Sequence, residues 1–87
     1  MANYKDFPKH DPRRYLVVLF AIESLKDRAT LHYIAQRVDC TRAEAQRAIG
    51  SGQKLFLMDI EKEGPVYQIL SWGILNKAAA LRSIERE

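Results

Sequence analysis

A single cysteine, Cys40, leaves the 87-residue chain no internal disulfide to close and no second thiol with which to build a zinc site. Histidine is almost as scarce: His10 and His32 stand far apart, without paired-ligand spacing. Neither a structural metal nor a cofactor is expected. Long apolar runs are also missing. The longest, Tyr15 to Ile22, falls well short of the roughly 18 residues that a membrane span requires, so it reads as a buried helix. The first eleven residues are polar and carry no secretory pattern, which makes a cytoplasmic location the default expectation. No nucleophile–base pair, glycine-rich phosphate loop or carboxylate pair stands out. An enzyme reading therefore has no residues to assign, and no pocket signature points to a small-molecule ligand. Internal repeats and low-complexity segments are absent too.

What is present is the composition of one ordinary globular domain, 47% apolar and 29% charged. A domain of this size has one thin core, so its apolar positions are needed for folding and large functional cavities are not expected. The net charge of +3 is unevenly placed. Residues 1–54 hold ten Lys/Arg against six Asp/Glu, a net +4, whereas residues 55–87 hold four against five, a net −1. The positive charge lies in the N-terminal two-thirds of the chain.

Residues 1–11 read as a flexible basic arm, whose Lys5 and Lys9, with Arg13 and Arg14 just beyond, could reach a phosphate. Asp11-Pro12 opens a helix, Asp as N-cap and Pro at the first helical position. This helix should run to about Leu25 or Lys26. Tyr15, Val18, Leu19, Ile22 and Leu25 form one stripe, and Leu16 and Phe20 a second beside it. A helix apolar on so much of its surface needs more than one partner, either the C-terminal helix or a second subunit. Thr30 can cap a second helix with the core face Leu31, Ile34, Ala35 and Val38. Asp39-Cys40 makes a tight corner, since Asp tolerates a left-handed backbone. Cys40 is expected to pack in the core rather than act as a redox sensor.

Thr41-Arg42-Ala43-Glu44 is a capping box that starts a third helix with Ala45, Ala48, Ile49 and Gly52 on its inner face. Gly50 and Gly52 each cost roughly 1 kcal/mol against Ala in a helix, so the helix is expected to end or loosen there. Residues 55–62 and 66–70 read as strands joined by a Glu63-Gly64-Pro65 turn. A last helix is predicted over 74–84, with Ile74, Leu81 and Ile84 on its stripe and Trp72 as its packing anchor.

The order helix, helix, corner, helix, hairpin, helix resembles the winged helix-turn-helix family of DNA-binding regulators. The likeness spans roughly Pro12 to Leu70. It is carried by the Ile34-Ala35 pair, Val38, the Asp39–Thr41 corner, Ala45, Ala48 and Ile49, and the apolar Leu55 and Leu57 leading into the wing. The resemblance implies a mainly α fold with a small β-hairpin: a winged helix-turn-helix domain over 12–73, followed by a C-terminal helix over 74–87 that could serve dimerisation. It also implies that the third helix reads the major groove of double-stranded DNA from its first turns. Arg42, Gln46 and Arg47 are then the candidate base readers, with Ala43 allowing close approach. Thr30, His32, Thr41 and Lys54 are placed for phosphates.

Two features depart from the family pattern. The wing carries Asp59, Glu61 and Glu63 against Lys62 alone, so it is not expected to insert deeply into a groove. The two glycines predict a labile recognition helix that orders fully on DNA. The leading expectation is a homodimeric, sequence-specific regulator. A protein-interaction module on the same scaffold, or a small phage or plasmid architectural factor, are the alternatives.

Overall fold

The computed structural model of the chain describes residues 2–85, so that the ends of the proposed arm (Met1) and of the proposed C-terminal helix (residues 86 and 87) lie outside the described residues. Among the described residues the protein is mainly helical. Four α-helices run over Arg13–Leu25 (α1), Leu31–Val38 (α2), Arg42–Leu55 (α3) and Lys77–Ile84 (α4). One antiparallel hairpin joins Asp59–Glu63 (β1) to Val66–Ser71 (β2).

The local signals act where short-range chemistry decides. The N-cap of α1 is Pro12 rather than Asp11, and the helix begins at Arg13, one residue later than read from the sequence, with the Asp11 carboxylate accepting the Arg13 N–H at 2.9 Å from just outside it. Thr30 Oγ1 accepts the Tyr33 N–H at 3.3 Å and caps α2. That helix stops at Asp39, which takes the left-handed conformation (φ 57°, ψ 56°). Thr41 and Glu44 make the reciprocal capping box of α3, at 3.0 and 2.9 Å. The hairpin turns at Gly64 (φ 59°) followed by Pro65, with Gly at the first central position as type II′ turns prefer.

The centre of the molecule is α1. Leu16 through Ile22 are all buried, seven in succession. The helix is surrounded by α2, α3, α4, β2 and the N-terminal segment. Its second apolar stripe, Leu16 and Phe20, is therefore covered within one chain. Each fully buried Leu, Ile, Val or Phe contributes roughly 1.5–3 kcal/mol, so this helix anchors the core.

Part of the covering comes from the residues read as a flexible arm. They are packed. Tyr4–Asp6 form a 3₁₀ turn, and Ala2, Tyr4 and Phe7 are buried against the core. Arg14 Nε donates to the Phe7 carbonyl at 2.7 Å and its guanidinium lies 4.9 Å from the Tyr4 ring centre. Arg13 pairs with Asp11 at 2.6 Å and lies over the Phe7 ring. Both arginines are thus engaged in holding the N-terminal segment.

Three further expectations are corrected. First, α3 does not loosen at its glycines but continues to Leu55. Gly52 is buried and faces α1, and a Cβ there would meet both Leu19 δ-carbons at 3.1 Å and Met58 Sδ at 3.2 Å. The missing side chain permits the close approach, which compensates for the weak helix propensity. Second, residues 55–58 are not strand. Leu55 ends α3, Leu57 takes a left-handed turn (φ 55°), and the Met58 N–H bonds back to the Gly52 carbonyl at 3.2 Å. Third, the last helix starts at Lys77, capped by the Asn76 side chain on the Ala79 N–H. It buries Ala80 and Ile84, while Ile74 and Leu81 face solvent. Gly73 (φ 62°) sets that delay: it crosses so close to residues 56 and 57 that any Cβ would fall 2.0 Å from the Phe56 oxygen.

Trp72 stacks on Phe20 with ring centroids 4.5 Å apart, and its indole N–H donates to Glu23 at 3.2 Å. Glu23 in turn pairs with Lys77 at 2.7 Å, which ties the start of α4 to α1.

Candidate nucleic-acid interface

The inner face of α3 determines what its outer face presents. Ala45, Ala48, Ile49 and Gly52 are buried. At 100° per residue, Arg42, Ala43, Gln46, Arg47, Gly50, Gln53 and Lys54 then share the opposite side, and all seven are exposed. The one acid of the helix, Glu44, is turned back onto the Thr41 N–H, a bond that holds its carboxyl below the usual range. The outward face therefore carries three cations and no carboxylate.

The tight corner brings the start of α2 to the start of α3. His32 is exposed in the first turn of α2, and its Nδ1 lies 3.1 Å from the Arg42 guanidinium. With that nitrogen unprotonated, the arginine donates to it, and the pair forms a continuous polar ledge. Thr41 is exposed at the head of the ledge. Thr30 is half-buried, its oxygen occupied by its own capping bond. Arg42, Ala43, Gln46 and Arg47 thus gather with His32 and Thr41 at one end. Lys54 stands apart, twelve residues and about 18 Å further along the helix.

Sequence reasoning missed how Lys5 contributes. The N-terminal turn places Lys5 and Arg14 near Glu44, where both favour its charged form. The signal was present in Tyr4 and Phe7, two apolar residues three apart on a 3₁₀ turn. Gln53 was also missed: its Nε2 donates to the Ile60 carbonyl at 3.1 Å and pins β1 to the end of α3. Cys40 is half-buried at the corner with its thiol on the Thr41 carbonyl, and burial pushes its pKa up to about 11, so it stays protonated at neutral pH.

The hairpin has the opposite charge. Asp59, Glu61 and Glu63 are exposed along β1, and Lys62 lies over the Tyr67 ring. An open cleft of about 560 Å³ separates β2 from the end of α1. The Glu23 carboxylate on its wall already serves Trp72 and Lys77. Among the described residues no three His, Cys, Asp or Glu side chains gather as metal ligands, and no helix is long and apolar enough to cross a membrane.

Comparisons with protein-family models, curated proteins and solved structures return no match to this chain.

Proposed function

We propose that the chain is a winged helix-turn-helix protein that binds double-stranded DNA in a sequence-specific manner, as a regulator, with α3 in the major groove. The observation that carries the reading is the outward face of α3: Arg42, Gln46 and Arg47 exposed together at its start with Lys54 exposed further along, the helix's single carboxylate folded away, and no described element of the chain covering them. Arg suits guanine O6 and N7, Gln suits adenine N6 and N7, and Ala43 and Gly50 leave room for a groove wall. His32, Thr41 and Lys5 flank the helix start, where phosphates would run.

The test is a fluorescence-anisotropy titration with random duplex at low and moderate salt, followed by selection of preferred sites. Affinity should fall steeply with salt, and Arg47→Ala should reduce it. Arg42→Ala should relax selection at one base position, a discrimination of about 1–3 kcal/mol. An absence of duplex binding at low salt would refute the reading.

A protein-interaction module on the same scaffold is the second reading. The acidic strand β1 favours it, because three exposed carboxylates at the wing oppose a phosphate backbone. A DNA-binding role therefore uses α3 and keeps the wing off the groove.

A further inference from the structure

We infer that His32 is a positioning residue for Arg42: it holds the guanidinium by one edge, leaves the other edge whole for a guanine, and offers its remaining ring nitrogen to a phosphate. The inference rests on the DNA-binding reading and deepens it, because it names which base-reading side chain is set in place beforehand and by what.

The contact joins the starts of two helices. His32 lies in the first turn of α2, and Arg42 is the first residue of α3. The corner between the helices brings Arg42 Nη2 to 3.1 Å from His32 Nδ1. A guanidinium can only donate, so Nδ1 accepts and the ring carries its hydrogen on Nε2. The ring is held on a second side as well. Tyr33 meets it edge to face, with ring centroids 5.2 Å apart and planes inclined at 66°.

The choice of partner matters. A carboxylate would hold the guanidinium at least as firmly, but it would cancel the positive charge and repel a phosphate backbone. The ion pairs among the described residues join Arg13 to Asp11 and Lys77 to Glu23, and neither involves Arg42. An unprotonated imidazole nitrogen orients Arg42 with no charge of its own. The full charge of the guanidinium therefore stays available to DNA.

The donor count agrees. Nη2 carries two hydrogens, one on each of the two edges through which a guanidinium makes paired bonds. The bond to His32 uses one of those edges. The other keeps both its donors, which is what bidentate recognition of guanine O6 and N7 requires. On the far side of the exposed imidazole, Nε2–H is a neutral donor suited to a phosphate oxygen. The line phosphate, His32, Arg42 would thus tie the register of the DNA backbone to the orientation of one base reader.

The consequence falls on specificity. An arginine that moves freely in the unbound protein loses that freedom when it meets a base, a loss equivalent to about two- to ten-fold in affinity. His32 removes part of this loss in advance. Only the matching base engages the guanidinium, so the benefit goes to the matching site and not to duplex in general.

The test combines anisotropy titrations on selected duplexes with side-chain NMR of the full chain without DNA. The base pair read by Arg42 is the one whose preference Arg42→Ala abolishes. His32→Ala should lower discrimination there by about two- to ten-fold, and should lower it no further in an Arg42→Ala background. His32→Asn, whose Oδ1 reaches the place of Nδ1, should retain most of the discrimination. His32→Gln, whose amide reaches only the place of Nε2, should not. The slope of log affinity against log salt should not change in His32→Ala, because an uncharged ring releases no counterion, whereas Lys5→Ala should lower it by about 0.9. Without DNA, the heteronuclear NOE of Arg42 Nε should be high in the wild type and in His32→Asn, and should fall in His32→Ala. Equal NOE values in wild type and His32→Ala would overturn the inference. So would wild-type discrimination in His32→Ala, or a reduced salt slope, which would make His32 a charged phosphate contact. A wild type that binds no duplex would remove the DNA reading instead, and the Arg42 NOE would still decide whether His32 fixes the guanidinium.

Discussion

Replacing each glycine of α3 by alanine should have effects of opposite sign. Gly50 and Gly52 sit two residues apart in one helix, so their intrinsic gains are alike, about 1 kcal/mol in favour of Ala. Their surroundings differ. Nothing lies within 4 Å of a Cβ built at Gly50, so Gly50→Ala should keep the gain and stabilise the protein by about 1 kcal/mol. At Gly52 the same atom would sit 3.1 Å from both methyls of Leu19 and 3.2 Å from Met58 Sδ. Met58 can move, but Leu19 is fully buried in the central helix and offers both branches, so rotating it relieves one contact and not the other. Overpacking costs about 1–3 kcal/mol, which exceeds the propensity gain, and Gly52→Ala should destabilise by about 1 kcal/mol. Urea unfolding followed by circular dichroism measures both, with unchanged m values as the sign that the same transition is seen. In thermal unfolding the two variants should lie roughly 10 °C apart. If Gly52→Ala were as stabilising as Gly50→Ala, the close α1–α3 approach would not exist in solution. The continuity of α3 through its glycines would then not depend on that contact.

Three further outcomes follow from the same contacts. Phe7 is 2% exposed, so Phe7→Ala should cost about 3 kcal/mol in urea unfolding, whereas a residue in a loose arm would cost almost nothing. Thr41→Ala removes the hydroxyl half of the α3 capping box and should cost about 1 kcal/mol by the same assay. Glu44 and Asp11 are held below their usual carboxylate values, chiefly by the Thr41 N–H and by Arg13 respectively. A lowered folded pKa gives stability that is present above the unfolded value, near 4, and lost as pH falls through the folded one. Stability should therefore drop below about pH 4, and Glu44→Gln should flatten that drop when unfolding is repeated across the acid range.

The sequence made the capping and the corner legible because each depends on a few neighbouring atoms. Thr30, Asp39 and the Thr41–Glu44 pair act over three residues. The inner face of α3 was legible too, because Ala45, Ala48, Ile49 and Gly52 keep helical spacing. The misread elements depend on distant partners. Gly52 looks like a helix breaker until Leu19 is placed against it. Residues 55–58 have strand composition, yet the last turn of α3 and the bond from Met58 to Gly52 claim them. Ile74 fits a helical stripe, but the crossing of Gly73 over residues 56 and 57 delays α4 to Lys77. The candidate interface was legible as a helix face. The His32–Arg42 contact and the arrival of Lys5 beside Glu44 needed the tertiary fold.

The most direct test of the central claim is an NMR titration of isotope-labelled protein with random duplex at low salt. Binding through α3 should concentrate the shifts on His32 and on Thr41 to Arg47, with smaller ones at Lys54, all reversed by added salt. Unmoved signals throughout, or shifts confined to the acidic hairpin, would contradict it.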